Sequence, residues 1–298
     1  YISIHNMVAW MIDRFGDDLQ QARFLPRLAS MELFASYALT EPGAGSDAAA
    51  LRTRAVRDGD AYVLDGTKAF ISGGGRSDLY VVMARTGEAG PGGVSAFLVE
   101  AGTAGLSYGG QEQKMGWNSQ PTCEVRFDSC RVPAGNRLGA EGEGFKIAMA
   151  GLDGGRVNIA ACSLGGAAAA LARARTYAGE REQFGRPLAA FQTTQFKLAD
   201  MATELEAARL LTWKAAAAMD AGDPERAVAC AMAKRFATDV GFRIVDEALQ
   251  LFGGYGYIRD YGIERLLRDL RVHRILEGTN EIMRLIIARR LLADGARG

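Results

Sequence analysis

The chain has 298 residues, 48% of them hydrophobic and 23% charged, and its 35 basic and 35 acidic side chains cancel. This composition is typical of a globular protein with a sizeable core, and the balanced charge gives no indication of nucleic acid or an anionic membrane as a partner. Two histidines and four scattered cysteines leave little material for a metal site or a disulfide framework, so we predict neither. The cysteines favour a reducing compartment, and no apolar run is predicted to span a membrane.

Residues 1–35 are predicted to be helical. Apolar residues recur there at helical spacing, and Pro26 is expected to break the helix or to begin a new one. The predicted apolar stripe consists of Met7, Met11, Phe15, Leu19, Phe24 and Leu28.

The pattern changes near Phe34, and from there to about Arg137 short β-rich runs alternate with Gly and Asp turns. This spacing of short strands indicates a β-barrel or sandwich rather than βαβ units. The predicted strands are Phe34–Thr40, Leu51–Arg57, Ala61–Leu64, Thr67–Ser72, Leu79–Thr86, Val94–Glu100 and Thr122–Asp128.

From Gly144 onward the hydrophobic period is helical. Long amphipathic helices joined by short loops predict an antiparallel four-helix bundle and place the chain in the α+β class. The predicted helices cover about 145–179, 192–221, 224–251 and 279–294, with a shorter one at 262–274. The predicted division is a helical segment at 1–35, a central β domain at 36–140 and a helical bundle domain at 141–298.

Two predicted strands end in glycine-rich turns. The stretch from Tyr37 to Asp47 contains Thr40-Glu-Pro-Gly-Ala-Gly-Ser46, whose backbone N–H groups and hydroxyls could hold a phosphate or a flat polar ring. Phe70-Ile-Ser72 runs into three glycines and could line a ring-shaped ligand. The alternative in both places is an ordinary strand-ending loop.

Three segments of the helical half also carry polar groups in unusual settings. Asp153 and Arg156 form either a local ion pair or an anchor for a polar ligand. The loop Arg181-Glu-Gln-Phe184-Gly-Arg-Pro could pair an arginine with phosphate. Gln250-Leu-Phe-Gly-Gly254-Tyr-Gly has more glycines than a helix C-cap needs, which suggests close approach to a large ligand.

Glu277 lies between a basic helical segment and the last predicted helix, for which Thr279 or Asn280 is the predicted N-cap. A carboxylate at such a junction could act as a base if burial raises its pKa. By its own neighbourhood it could equally be an ordinary acid near a helix N-terminus.

Taken in order, Thr-Glu-Pro-Gly-x-Gly-Ser-Asp, Phe-Ile-Ser-Gly, Arg-Glu-Gln-Phe-Gly, Gln-x-Phe-Gly-Gly-x-Gly and Glu-Gly-Thr resemble the acyl-CoA dehydrogenase family, from about Tyr1 to Leu292. The resemblance implies non-covalent FAD and oxidation of an acyl-CoA to its 2,3-enoyl-CoA. It also implies electron-transfer flavoprotein as acceptor and a homotetramer built as a dimer of dimers. Segments such as Gly116–Pro121 and Asn158–Gly165 are most similar to members acting on short branched substrates, with isobutyryl-CoA expected.

The resemblance assigns roles residue by residue. Glu277 would be the catalytic base that removes the α-proton. The residues implied at FAD are Tyr37, Leu39, Thr40, Gly45, Ser46, Phe70, Ile71, Ser72, Arg181, Phe184, Phe191, Gln192, Gln250, Leu251, Gly253, Gly254, Thr279, Asn280 and Glu281. Those implied at the CoA substrate are Ser46, Asp153, Gly154, Gly155, Arg156 and Arg289. No metal and no membrane insertion are implied.

Within this resemblance, residues 1–35 would be a remnant of the family's N-terminal helical domain. Met283 stands where many members have Gln. The alternatives are an acyl-CoA oxidase or another flavin enzyme of the same fold, or a non-catalytic scaffold. The expected compartment is the cytoplasm for a bacterial source and the mitochondrial matrix for a eukaryotic one.

Overall fold

A computed structural model describes residues 1–295, so the last three residues of the predicted bundle domain lie outside the described residues. The chain divides into two compact units. The first comprises Tyr1–Lys114 and Asn118–Gly155, and the second comprises Met115–Trp117 and the chain from Arg156 onward. The α+β class is confirmed, with N-terminal helices, a β sheet and a C-terminal helical region.

The first unit contains two helices, eight strands and the beginning of a third helix. The helices are α1 (Ile2–Phe15), α2 (Asp18–Ala29) and the start of α3 (Gly144–Glu180). The strands are β1 (Ala35–Ala38), β2 (Arg54–Asp58), β3 (Ala61–Ser72), β4 (Leu79–Arg85), β5 (Val94–Glu100), β6 (Leu106–Tyr108), β7 (Thr122–Pro133) and β8 (Arg137–Leu138).

The eight strands form one sheet in the order β6-β7-β3-β2-β4-β5-β8, and β1 pairs with β4 in parallel. Successive β4 side chains enter different cores because side chains alternate across a strand. Leu79 and Val81 pack with α1 and α2, whereas Tyr80 and Val82 pack in a second cluster. That second cluster also contains Val125 of β7 and Phe97 of β5, which lie near opposite edges of the sheet.

The N-terminal helices differ from the sequence prediction in two respects. The break falls at Gly16, and α2 begins with a capping box between Asp17 and Gln20, so Pro26 lies inside α2. The prediction that Pro26 breaks or begins a helix was therefore wrong, because the capping box fixes the helix start upstream. Leu19 is 82% exposed and does not belong to the buried stripe.

The two predicted strands at 61–64 and 67–72 form a single strand, β3. The register shifts between Leu64 and Gly66, where Gly66 has φ +149°. A side chain at Gly66 would collide with Thr53, since its Cβ would lie 2.7 Å from the Thr53 Cα atom. The glycine therefore allows close packing within a continuous strand.

A buried ion pair joins β3 to the loop after β1. The Lys68 ammonium is fully buried and donates to the Leu39 carbonyl at 2.9 Å and to Glu41 Oε1 at 2.8 Å. The Glu41 carboxylate also accepts the backbone N–H groups of Arg52 and Thr53. Burial lowers the pKa of Lys68 to about 8, against the opposing effect of Glu41. Burial alone would raise the pKa of Glu41, but Lys68 and the hydrogen bonds hold it below its usual value.

The second unit is helical. It contains the rest of α3, a hairpin of β9 (Glu182–Gln183) and β10 (Arg186–Pro187), and five further helices. These are α4 (Gln192–Asp220), α5 (Arg226–Phe252), the short α6 (Gly254–Tyr257), α7 (Ile263–Arg271) and α8 (Asn280–Gly295). The helix predictions for this region are confirmed.

Helix α5 is the centre of the second unit, because it packs against α4, α7 and α8. Its fully buried Ala237, Ile244 and Ala248 share a core with alanines of α3. In α4, Phe196 follows the helical spacing of the buried Met201 and Leu205 but is itself 63% exposed.

By length and composition alone, α3 is apolar enough to cross a membrane, contrary to the sequence prediction. Its Ala160, Ala167 and Ala170 are fully buried against α4 and α5. Close packing accounts for these alanines, while 33% of the most apolar stretch of α3 is buried in the structure.

A buried histidine joins α3 to the segment before Glu277. His273 is 2% exposed, its Nδ1 lies 2.6 Å from Ser163 Oγ, and the Trp117 ring meets it edge-on at 5.3 Å. Burial, assisted by the nearby Lys234 charge, lowers the pKa of His273 to about 4.

Replacing Lys68 with Met should destabilise the chain by about 3–5 kcal/mol, because Glu41 would remain buried without its counter-ion. Urea unfolding of the apoprotein measures this loss. Arg23→Met is the matched control, because Arg23 and Glu100 form an exposed pair worth less than about 1 kcal/mol. Equal losses in the two variants would contradict the interpretation.

Acidification should destabilise the protein through His273. Its pKa of about 4 in the folded chain lies below the ordinary 6.5. The unfolded chain therefore takes up a proton first, and stability present above pH 6.5 is lost as the pH falls towards 4. Between pH 7 and pH 5 this group should account for about 2 kcal/mol. His273→Gln should show a correspondingly smaller change in urea stability over that interval, and an unchanged pH dependence would refute the assignment.

Candidate active site

In the first unit, the ends of β1 and β3 lie side by side. The Ala69 N–H donates to the Thr40 carbonyl at 2.8 Å, so Thr40 adjoins Phe70. The Phe70 side chain is 67% exposed, whereas Ile71 and Leu39 are buried. An exposed aromatic ring beside a threonine hydroxyl offers a surface on which a flat heteroaromatic ring could stack.

The loop after β1 provides polar groups and open space. Gly45 and Ser46 are exposed, and a side chain added at Gly43 or Gly45 would meet no atom within 4 Å. Glycine is therefore not required there by packing within the protein. Such a loop leaves room for a ligand to approach the backbone, as a cofactor with a pyrophosphate would require. The remaining predicted members, Tyr37 and Ser72, lie in the strands that carry these turns.

In the second unit, Glu277 lies in a tight turn directly before α8. Glu277 has φ +53° and Gly278 has φ +90°. Thr279 Oγ1 accepts the Ile282 N–H at 3.3 Å, which confirms Thr279 as the N-cap. Glu277 is half-buried, and its carboxylate interacts electrostatically with Lys234 and Cys162. A partly desolvated carboxylate held in this way is suited to proton abstraction.

Buried groups on α5 surround this turn, and sequence reasoning missed them. Lys234 donates to the Gly278 carbonyl at 2.7 Å and to Asn280 Oδ1 at 3.0 Å. Asn280 in turn donates to Thr238 Oγ1 and to Asp239 Oδ1. The sequence places all three α5 residues in a long helix, but it does not show that they lie beside the turn, or that Lys234 and Thr238 are buried there.

A surface cavity of about 460 Å³ in the second unit gathers several predicted cofactor residues. Arg181, Leu251, Gly253 and Gly254 all line it, together with Tyr255, over whose ring the Arg181 guanidinium lies at 5.5 Å. The cavity thus combines a cation, aromatic surface and exposed glycine backbone, which together suit a nucleotide.

Beside this cavity, the β9–β10 hairpin carries Phe184, which is 95% exposed and meets Phe191 edge-on at 6.4 Å. Gln192 begins α4 and is exposed. Gln250, also exposed, accepts the Gly253 N–H at 3.1 Å at the end of α5.

The candidate substrate residues fall in both units. Asp153 is 8% exposed and, with Gly154 and Gly155, belongs to the first unit, as does Ser46. Arg156 is 5% exposed and belongs to the second. Arg289 and Glu281 lie on exposed positions of α8.

Backbone strain coincides with the predicted site. Six non-glycine residues in the described chain have positive φ, and three of them are Phe70, Phe184 and Glu277. A left-handed non-glycine residue costs about 1–3 kcal/mol and persists only when its surroundings hold it. Such residues cluster at functional sites, so their positive φ supports the assignment of these three residues to a site independently of the motifs.

Comparison with known proteins identifies the family. Residues 36–130 match the family described as "Acyl-CoA dehydrogenase, middle domain", and residues 142–292 match "Acyl-CoA dehydrogenase, C-terminal domain". A protein from Dictyostelium discoideum named "Isobutyryl-CoA dehydrogenase, mitochondrial" is 59% identical over 99% of this chain and 71% of its own length. The Bos taurus protein of the same name is 58% identical with the same coverage.

Among solved structures, butyryl-CoA dehydrogenase from Megasphaera elsdenii superposes with a TM-score of 0.95 at 46% identity, covering 98% of this chain and 76% of that one. At such identity, likeness extends beyond the fold to the family. The chain therefore belongs to the acyl-CoA dehydrogenase family and is a flavin-dependent oxidoreductase that uses FAD.

Proposed function

We propose that this chain oxidises a short branched acyl-CoA, with isobutyryl-CoA as its preferred substrate, to the 2,3-enoyl-CoA. The observation that supports Glu277 as the catalytic residue is its position in a strained turn, to which the buried Lys234 of α5 is hydrogen-bonded. The substrate preference is supported by the two isobutyryl-CoA dehydrogenases that match nearly the whole chain.

Glu277 is the base in this proposal. Its carboxylate takes the α-proton, the bond between the α- and β-carbons becomes double, and the β-hydrogen leaves with its electron pair as hydride. FAD, when bound, accepts that hydride. Because a thioester α-proton is a weak acid, the developing negative charge on the carbonyl oxygen needs a donor, and the Glu277 backbone N–H is the proposed one.

We infer that the flavin ring is bound by the first unit. Phe70 and Thr40 provide the stacking surface and a hydroxyl, and Ser72, Ile71, Tyr37 and Leu39 form the strands beneath them. The loop residues Gly45 and Ser46 bind the pyrophosphate side. Ser46, Asp153, Gly154, Gly155, Arg156 and Arg289 are the proposed contacts to CoA.

We further propose a homotetramer in which one subunit completes the cofactor site of another. Support comes from Phe184, which is 95% exposed although aromatic, beside the cavity lined by Arg181 and Gly253. A contiguous apolar patch at the surface supports an interaction site, and here Phe184 meets Phe191 beside the cavity that Leu251 lines. Phe191, Gln192, Gln250, Leu251 and Gly254 belong to the same proposed surface, and Thr279, Asn280 and Glu281 lie near the base.

Electron-transfer flavoprotein is the proposed electron acceptor. The proposed compartment is the mitochondrial matrix if the source is eukaryotic, as for the two named relatives, and the cytoplasm if it is bacterial. The three-domain division at residues 1–35, 36–140 and 141–298 stays a prediction.

Glu277→Gln should lower the rate of flavin reduction by isobutyryl-CoA about 10³-fold or more, because the amide cannot take the α-proton. Anaerobic stopped-flow measurement of flavin absorbance gives this rate, and the FAD content of the purified variant should match wild type. Glu206→Gln, which removes a carboxylate paired with Arg209 on the exposed face of α4, is the matched control. A Glu277→Gln enzyme that is still reduced quickly would exclude Glu277 as the base.

Among isobutyryl-, 2-methylbutyryl-, isovaleryl-, butyryl- and octanoyl-CoA, the first should give the highest kcat/KM with an artificial electron acceptor. Each mismatched methylene costs about 1–3 kcal/mol in an apolar pocket, so octanoyl-CoA should be at least about 10-fold poorer. Stoichiometric hydrogen peroxide during turnover would instead identify an oxidase.

A further inference from the structure

Lys234 is a charged side chain buried in the middle of α5. It is 0% exposed, and burial lowers its pKa to about 8 despite the opposing charge of Glu277. Burying an ammonium group is unfavourable unless its N–H groups find acceptors. Two acceptors are present, the Gly278 carbonyl at 2.7 Å and Asn280 Oδ1 at 3.0 Å. The first belongs to the turn that carries Glu277, and the second to the first residue of α8.

Asp239, on the same helix, binds both flanks of that turn. Its carboxylate lies 3.2 Å from Arg274 Nε on the upstream side. On the downstream side it pairs with Arg284 at 3.1 Å and accepts from Asn280 at 3.0 Å. The backbone from residue 274 to residue 284 is therefore attached to α5 at three points, with Lys234 at the middle one.

This attachment matters because the turn is strained. Glu277 has φ +53°, a conformation that a non-glycine residue leaves unless its neighbours are held. Gly278 also has positive φ, and a side chain there would press on Met283, whose Cε atom would lie 2.7 Å from it. The hydrogen bond from Lys234 binds the Gly278 carbonyl, directly after these two positive-φ residues.

We propose that Lys234 is a positioning residue for dehydrogenation: through the Gly278 carbonyl it holds the Glu277 turn in place, and its charge favours the carboxylate form of the base. This proposal rests on the proposed function in so far as Glu277 is the base. The other charged groups that interact with Lys234 are Arg156 on α3, Asp239 on α5 and Glu281 on α8.

A buried methionine of similar length would pack in place of Lys234 without any desolvation cost. The lysine therefore brings no packing advantage. Its distinctive contributions are a hydrogen bond to the turn and a positive charge beside the base.

The test uses the full chain with FAD bound and compares Lys234→Met with Lys234→Gln. Methionine removes the hydrogen bond and the charge, while glutamine keeps a donor for the Gly278 carbonyl. For Lys234→Met we expect kcat to fall about 100-fold with KM changed less than threefold, since a displaced base slows the reaction without weakening binding. Lys234→Gln should recover part of kcat. The acid limb of the kcat profile should move to higher pH in both variants, because a neighbouring positive charge is lost.

A second readout isolates proton abstraction from hydride transfer. Acetyl-CoA has an α-carbon but no β-carbon, so it cannot be dehydrogenated. Exchange of its α-hydrogens in D₂O, followed by NMR, should slow in Lys234→Met as much as kcat does. Lys197→Met is the control, because it removes a partly exposed lysine of α4 that pairs with Glu247 of α5. The control should exchange at the wild-type rate.

The outcomes separate this proposal from the proposed function. Fast turnover by Glu277→Gln would overturn the proposed function. A slow Glu277→Gln beside Lys234 variants with wild-type kcat, exchange and pH profile would overturn the positioning role alone. Loss of folding or of FAD binding in both Lys234 variants would assign Lys234 a structural role only, and would also overturn the proposal.

Discussion

The helical unit has to stabilise the left-handed turn at Glu277 and Gly278. Glu277 is the proposed base, and a base acting on a weak carbon acid must be held within a fraction of an ångström, yet the Glu277 backbone has an unfavourable φ. Helix α5 reconciles the two, since it is both the central core helix and the source of the side chains that hold the turn. Core packing and the position of the base are thus linked through one helix.

A similar device occurs in each unit. Lys68 in the sheet unit and Lys234 in the helical unit are both fully buried, and each donates to a backbone carbonyl beside a proposed site residue. Lys68 binds the Leu39 carbonyl, next to Thr40, and Lys234 binds the Gly278 carbonyl, next to Glu277. Buried cations bonded to carbonyls rigidify irregular backbone that no helix or strand hydrogen bond can support.

Much of the fold could be predicted because local pattern and tertiary packing agree. The short β-rich runs match β1 to β5 and β7, and the long helical periods match α3, α4, α5 and α8. The errors arose where tertiary contacts or caps override local signals. Pro26 is accommodated in the last turns of α2, and the exposed Phe196 follows a helical pattern without facing the core.

By itself the sequence determined the class of fold, the family through its ordered motifs, and Glu277 as the candidate base, with Thr279 or Asn280 as the cap of the following helix. It could not identify Lys68, Lys234 or His273 as buried, or Asp239 as a partner of the residues around Glu277, since isolated charged residues in a periodic helix or strand are read as solvent-exposed. Their partners lie distant in sequence, as Lys234 and Gly278 do, and only the tertiary structure brings them together. The order of motifs along the whole chain therefore indicated Glu277 as the candidate base, whereas the forces that hold it depend on contacts between separate elements.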